Sequence, residues 1–101
     1  MTISWRDTAY AFAVERIERD GRPIADMLVQ ELDIPTRRLL WEWRASDYIA
    51  LGESVEPIPD EGPWDYVHFN SIALDRDGDL LLSARHTDTV YKVSRETGAI
   101  V

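Results

Sequence analysis

Two histidines and an arginine mark where this chain could do chemistry. His68 and His86 are its only histidines, and Arg85 directly precedes the second. All three fall within residues 63–91, PWDYVHFNSIALDRDGDLLLSARHTDTVY, beside Asn70, Trp64, Tyr66 and Phe69. An imidazole can donate a hydrogen bond or shuttle a proton near neutral pH. A guanidinium grips an oxyanion through two parallel hydrogen bonds, and Asn70 adds an amide that can donate or hold His68 in one tautomer. Together they suit a tetrahedral oxyanion, whose growing charge needs donors that already point at it.

A hairpin must position these groups. Ile72-Ala73-Leu74 and Leu80-Leu81-Leu82 are apolar runs around Asp77-Gly78, the commonest two-residue hairpin turn signal. Such a turn predicts Arg76 opposite Asp79, Asn70 opposite Arg85 and His68 opposite Thr87. Alternation then puts His68, Asn70, Arg85 and Thr87 on one face, about 5 Å apart when directly opposite. His86, as the neighbour of Arg85, is expected on the other face. A three-residue turn would shift the register and send Arg85 away from His68.

The segments WDYVHFNS and SARHTDTVYKV, with ETGAI after them, closely resemble the arylsulfotransferase family of β-propeller proteins. In that family a W-D-[YW]-x-H-x-N-S segment precedes S-x-R-H by about this spacing. The upstream run VQELDIPTRRLLWEWRASDYIALGES is similar to the same family, so the likeness covers residues 26–100. The resemblance implies transfer of sulfate from a phenolic sulfate ester to a phenol acceptor, without a nucleotide sulfate donor or other cofactor. It implies that His68 and Arg85 bind or polarise the sulfate, with Asn70, His86, Trp64 and Tyr66 as substrate contacts.

It also implies a histidine-bound sulfate whose attacking histidine belongs to a later segment than those matched here. An upstream acidic-His motif is unmatched too. The chain alone is therefore expected to be inactive and to supply half of an active centre. The alternative is a non-catalytic propeller for binding or scaffolding, and a third reading is a small stand-alone β-domain that takes an anionic ligand.

Every candidate has a structural counterpart. Arg85 could pair with Asp65 or another of the 19 carboxylates. His68 could bond only to backbone, and His86 could be structural or exposed. Trp64, Tyr66 and Phe69 could pack in a core rather than stack on a phenol. Asp75, Asp77 and Asp79 form D-R-D-G-D, but an EF-hand count from Asp75 puts Leu80 where Gly belongs and His86 where Glu belongs. Without cysteine, two histidines on opposite faces make no tetrahedral zinc set, so no metal is expected.

Composition narrows the class. A net charge of −8 opposes wholesale nucleic-acid binding, which needs cations to replace phosphate counterions. No run approaches the ~20 apolar residues of a membrane helix. With 45% hydrophobic residues and four Trp, the chain can build a core, and its lack of cysteine excludes disulfides.

The spacing of apolar alternation and turns predicts an all-β antiparallel meander. Strands are expected over residues 27–34, 39–43 and 89–93 besides the hairpin, and over residues 8–17, whose composition also permits a helix but whose alternation of Tyr10, Phe12 and Val14 favours a strand, with a turn at Asp20-Gly21-Arg22-Pro23. Residues 45–51 have room for a helical turn or two, with Ser46 or Asp47 as N-cap, and residues 53–62 read as a loop. DIPTRRLLW is loosely echoed by SRETGAIV, each setting a Thr-containing turn before an apolar strand. At about 40–45 residues per blade, residues 1–101 are expected to be one incomplete domain, a partial β-propeller of about two blades whose open strand edges favour self-association.

Overall fold

The computed structural model describes residues 2–3 and 7–101, the first pair by backbone alone. The described residues form seven strands and two 3-10 turns, with no α-helix. Strands β1 (Thr2–Ile3), β2 (Thr8–Arg19), β3 (Arg22–Asp33) and β4 (Leu39–Arg44) make one antiparallel sheet in chain order. Strands β5 (Phe69–Leu74), β6 (Leu80–Ala84) and β7 (Thr89–Val93) make a second. Each sheet is an antiparallel meander, consistent with a partial propeller-like fold.

The first hairpin follows from its turn. Asp20 and Gly21 both have positive φ, 53° and 74°, and Arg19 faces Arg22. That is the two-residue geometry whose twist matches flanking strands. Strands β2 and β3 run closer to this turn than alternation predicted, each for 12 residues. Pro23 is tolerated inside β3 because β4 pairs only as far as Leu28, and the segment that bridges β3 beyond it, at Trp64, donates to the Pro23 carbonyl and asks no N–H of Pro23.

Residues 45–53 form 3-10 turns at Ala45–Asp47 and Leu51–Glu53 rather than a continuous helix. Neither Ser46 nor Asp47 caps the first; Arg44 holds that position without a side-chain bond. Ser46 is committed instead to buried Asp26, donating its backbone N–H and its hydroxyl at 3.1 and 2.6 Å.

The loose echo in sequence is an equivalence in structure. In one turn the Asp33 N–H donates to the Arg38 carbonyl and the Arg37 N–H to that of Asp33. The other repeats this with Ser94, Ala99 and Gly98. Thr36 donates its N–H to the Asp33 carboxylate, and Thr97 donates its own to the Ser94 hydroxyl. Arg37 and Gly98 both take positive φ. After the second turn the Val101 N–H donates to Lys92, so residues 99–101 return along β7 as β4 returns along β3.

The second hairpin departs from its predicted register. Leu74 faces Leu80, and the Asp75 N–H donates to Asp79, leaving residues 76–78 as a three-residue loop with Gly78 at φ 81°. The Asp75 carboxylate fixes this loop by accepting from the amides of Asp77 and Asp79. A second shift occurs between Phe69 and Ser71, where Asn70 is surplus in β5. Phe69 and Ile72, three positions apart, would face opposite sides of a regular strand. The bulge lets both be buried.

Both sheets share one apolar cluster, including Tyr10, Ile24, Val29, Trp43, Tyr66, Phe69, Leu82 and Val93. Phe69 links them, stacking on Phe12 and tilting against Trp43 at 5.6 and 6.1 Å between centroids. Burying each large side chain contributes roughly 1.5–3 kcal/mol. A polar weld joins the sheets too. Glu31 of β3 accepts from Thr8 and Tyr10 hydroxyls at 2.7 and 2.6 Å, and from Arg95 Nε, beyond β7, at 2.7 Å.

Candidate functional site

Three chain segments meet at one end of the second sheet. They are residues 64–68 leading into β5, residues 85–88 between β6 and β7, and residues 54–56 after the second 3-10 turn. Backbone bonds hold them. Arg85 N–H donates to the His68 carbonyl at 2.9 Å, His86 N–H to Val67 at 3.0 Å, and Val55 N–H to His86 at 2.8 Å. The loop and the bulge each slide the expected pairing by one residue. His68 therefore lies across from Arg85 rather than Thr87, and Asn70 sits exposed in the bulge instead of facing Arg85.

His86 does not lie on the far side from His68. The two rings stack with centroids 4.8 Å apart and planes 29° apart. Alternation failed here because His68 is outside the strand, at φ 52°, while His86 occupies the turn after β6. A left-handed residue with a side chain costs about 1–2 kcal/mol, and such strain clusters at functional sites.

Asp65 joins the two imidazoles. Its Oδ2 lies 2.6 Å from His68 Nδ1, and its backbone carbonyl accepts from His86 Nδ1 at 2.5 Å. Its other carboxylate oxygen, Oδ1, is buried without a hydrogen-bond partner among the described residues. His86 Nε2 faces Glu56 Oε2 at 3.3 Å, an ion pair when that ring carries a second proton. Neither Asp65 as a histidine partner nor Glu56 was singled out from sequence. The three-residue step in W-D-Y-V-H was the available signal for Asp65; nothing local pointed to Glu56 in its Pro-rich loop.

The remaining candidates divide cleanly. Arg85 is exposed, and no hydrogen bond or ion pair ties its guanidinium to a described residue, so it does not pair with Asp65. Tyr66 is fully buried, and its hydroxyl donates to the Ile49 carbonyl at 2.9 Å. Burial and the negative charge of Asp26 hold its phenol far above the ordinary tyrosine range. Trp64 is 5% exposed and donates to the Glu56 carbonyl. Its rim still borders an open groove of about 430 Å³ with Arg22, Leu51, Glu56 and Ile58.

Donor atoms of Asp65, His68 and His86 lie within 4.8 Å of one another, a set that separation of the histidines would have forbidden. Both Nδ1 atoms are already engaged by Asp65. In the second acidic group, Asp75, Asp77 and Asp79, two members are likewise committed: Asp75 pairs with Lys92 at 2.9 Å and Asp79 accepts from Arg95 N–H. The paired Lys92 and two loop amides hold the Asp75 carboxyl below its ordinary range.

The comparisons agree with the motifs. Residues 6–101 match the family model described as Arylsulfotransferase (ASST). The match spans nearly the whole chain, which therefore belongs to the arylsulfotransferase family. No curated protein and no solved structure matches it. Among the described residues, no helix is long and apolar enough to cross a membrane.

Proposed function

We propose that this chain supplies the sulfate-binding part of an aryl sulfate sulfotransferase centre. His68 and Arg85 hold and polarise the transferring group, Asn70 and His86 flank it, and the Trp64 groove takes an aromatic ring. The observation that carries this is the backbone bond from the Arg85 N–H to the His68 carbonyl at the bulged end of β5, which makes the two residues cross-strand neighbours, with the guanidinium bonded to no described residue. A sulfuryl group in transfer spreads charge over its outer oxygens, and a guanidinium fork meets two of them at once. Net negative charge does not forbid such a site, because the local potential is set by the groups beside it.

A scaffold reading expects the motif residues to be spent on packing. Trp64 and Tyr66 are, but His68 keeps 44% of its side-chain surface, and Asn70 and Arg85 are exposed. Titration of the chain with sodium sulfate and with 4-nitrophenyl sulfate, followed by NMR, tests the proposal. Signals from His68 and Arg85 should move, and Arg85→Ala should weaken binding roughly ten- to hundredfold, the worth of one charged hydrogen-bonding group. Equal affinity in the variant would leave the scaffold reading. The edge strand β4, with Leu39 and Leu40 half exposed, is also expected to promote self-association, read by sedimentation across concentrations.

A further inference from the structure

Asp65 engages both imidazoles of the candidate site by different atoms, and no role for it was read from the motifs. Its carboxylate meets His68 Nδ1, while its main-chain carbonyl meets His86 Nδ1. A carbonyl oxygen can only accept, as can an ionised carboxylate. Each Nδ1 must therefore carry a proton and donate it. We infer that Asp65 is the positioning residue of this centre, fixing His68 in the tautomer that presents an unprotonated Nε2.

The consequence for chemistry rests on the sulfate-transfer reading. With Nδ1–H held by Asp65, the neutral His68 cannot donate from Nε2; it can only accept there. When a phenol acceptor arrives, its O–H proton passes to Nε2. The freed oxygen pair forms the new bond to sulfur, while the bond between sulfur and its leaving atom breaks and that atom keeps the pair. The resulting imidazolium lies against the Asp65 carboxylate, which stabilises its charge, and Nε2–H then becomes a donor to the sulfate oxygens. One ring thus serves first as base and then as anion donor, with Asp65 constant throughout.

Two features make a purely structural contact a poor account. Asp65 leaves Oδ1 buried and unpartnered, and His68 occupies a left-handed conformation that favours glycine. Packing alone gives no reason to keep both costs on one hydrogen-bonded pair. Asn70, the other candidate for holding the tautomer, lies exposed in the bulge, and no hydrogen bond joins it to His68.

Long-range nitrogen–proton NMR of the whole chain reads each ring's tautomer without any need for turnover. At about pH 8, where an ordinary imidazole is neutral, the wild-type His68 ring should show Nδ1–H with an unprotonated Nε2, and His86, whose Nε2 faces Glu56 Oε2, should show Nδ1–H. In Asp65→Ala the carboxylate is gone but the main-chain carbonyl remains. The ratio of Nδ1–H to Nε2–H at His68 should then fall about tenfold, the factor that a charge-assisted hydrogen bond supplies, while His86 keeps its tautomer. An Nε2–H form of His68 in the wild type, an unmoved ratio in the variant, or a parallel change at His86 would each overturn the inference. The wild-type spectrum decides even if the variant fails to fold. Expected tautomers in a chain that binds no sulfate would sink the sulfate reading while leaving the role of Asp65 intact.

Discussion

Arg95→Ala should loosen the weld between the two sheets. Arg95 Nε reaches buried Glu31 at 2.7 Å, and the guanidinium lies over the Trp41 ring at 4.6 Å. The lost charged hydrogen bond is worth roughly 1.5–3 kcal/mol, and the ring contact adds about 0.5–1. A buried carboxylate stripped of its only partner costs about 3–5 kcal/mol, but Glu31 retains the Thr8 and Tyr10 hydroxyls. The expected loss is therefore about 2–3 kcal/mol. For a domain of this size it lowers Tm by roughly 10–20 °C.

A pH series sharpens that test. Burial works to raise the Glu31 carboxyl, but hydrogen bonds from Tyr10, Thr8 and Arg95 outweigh it and hold the group below its ordinary range. A depressed folded value means that the unfolded chain binds protons more readily as acid is added. The stabilisation is whole above the ordinary glutamate range and disappears as pH falls through the lower folded value. Urea unfolding from pH 7 to pH 3 should show this acid loss in the wild type, and Glu31→Gln should flatten it. A loss below about 0.5 kcal/mol in Arg95→Ala at pH 7, within the scatter of ordinary surface changes, would refute the reasoning.

Other expectations are more local. Gly98→Ala puts a Cβ 2.7 Å from Tyr48 Oη at a φ of +78°, so Tyr48 must leave its stack on Trp43. Backbone strain and the lost stack together cost about 2–3 kcal/mol, whereas Gly52→Ala, which meets nothing within 4 Å, should stay near wild type in urea unfolding. Burial and the neighbouring Glu31 carboxylate raise the Tyr10 phenol to about 12. Its folded value exceeds the unfolded one, so stability should fall with pH above the ordinary tyrosine range. Ultraviolet titration, with Tyr10→Phe as reference, should place this ionisation near pH 12.

How legible was all this beforehand? The strands were, because alternation marks an inward face, as at Leu80, Leu82 and Ala84 or Tyr91 and Val93, although Thr8–Tyr10 and Asp26–Val29 are each buried without a break. The motifs also named the family. The hairpin register was not legible from Asp77-Gly78, since Asp75 captures two amides of the same loop and stabilises a longer turn. Alternation misplaces His86 because it governs strands, and His86 sits in the turn between β6 and β7. Asp65 was weighed only as a partner for Arg85, and its link to His68 needs the left-handed backbone that no residue type there announces.

The extra residue in β5 lets the chemistry change without disturbing the hydrophobic interior. Removing Asn70 would leave Phe69 and Ile72 two positions apart, on one face of a regular strand, with Ala84 and Leu82 still opposite them. What would go is the local kink and added twist that a bulge gives its strand, just where β5 meets the Asp65–His68 segment. That single peptide unit can thus re-aim the imidazole end of the sheet while the core stays packed.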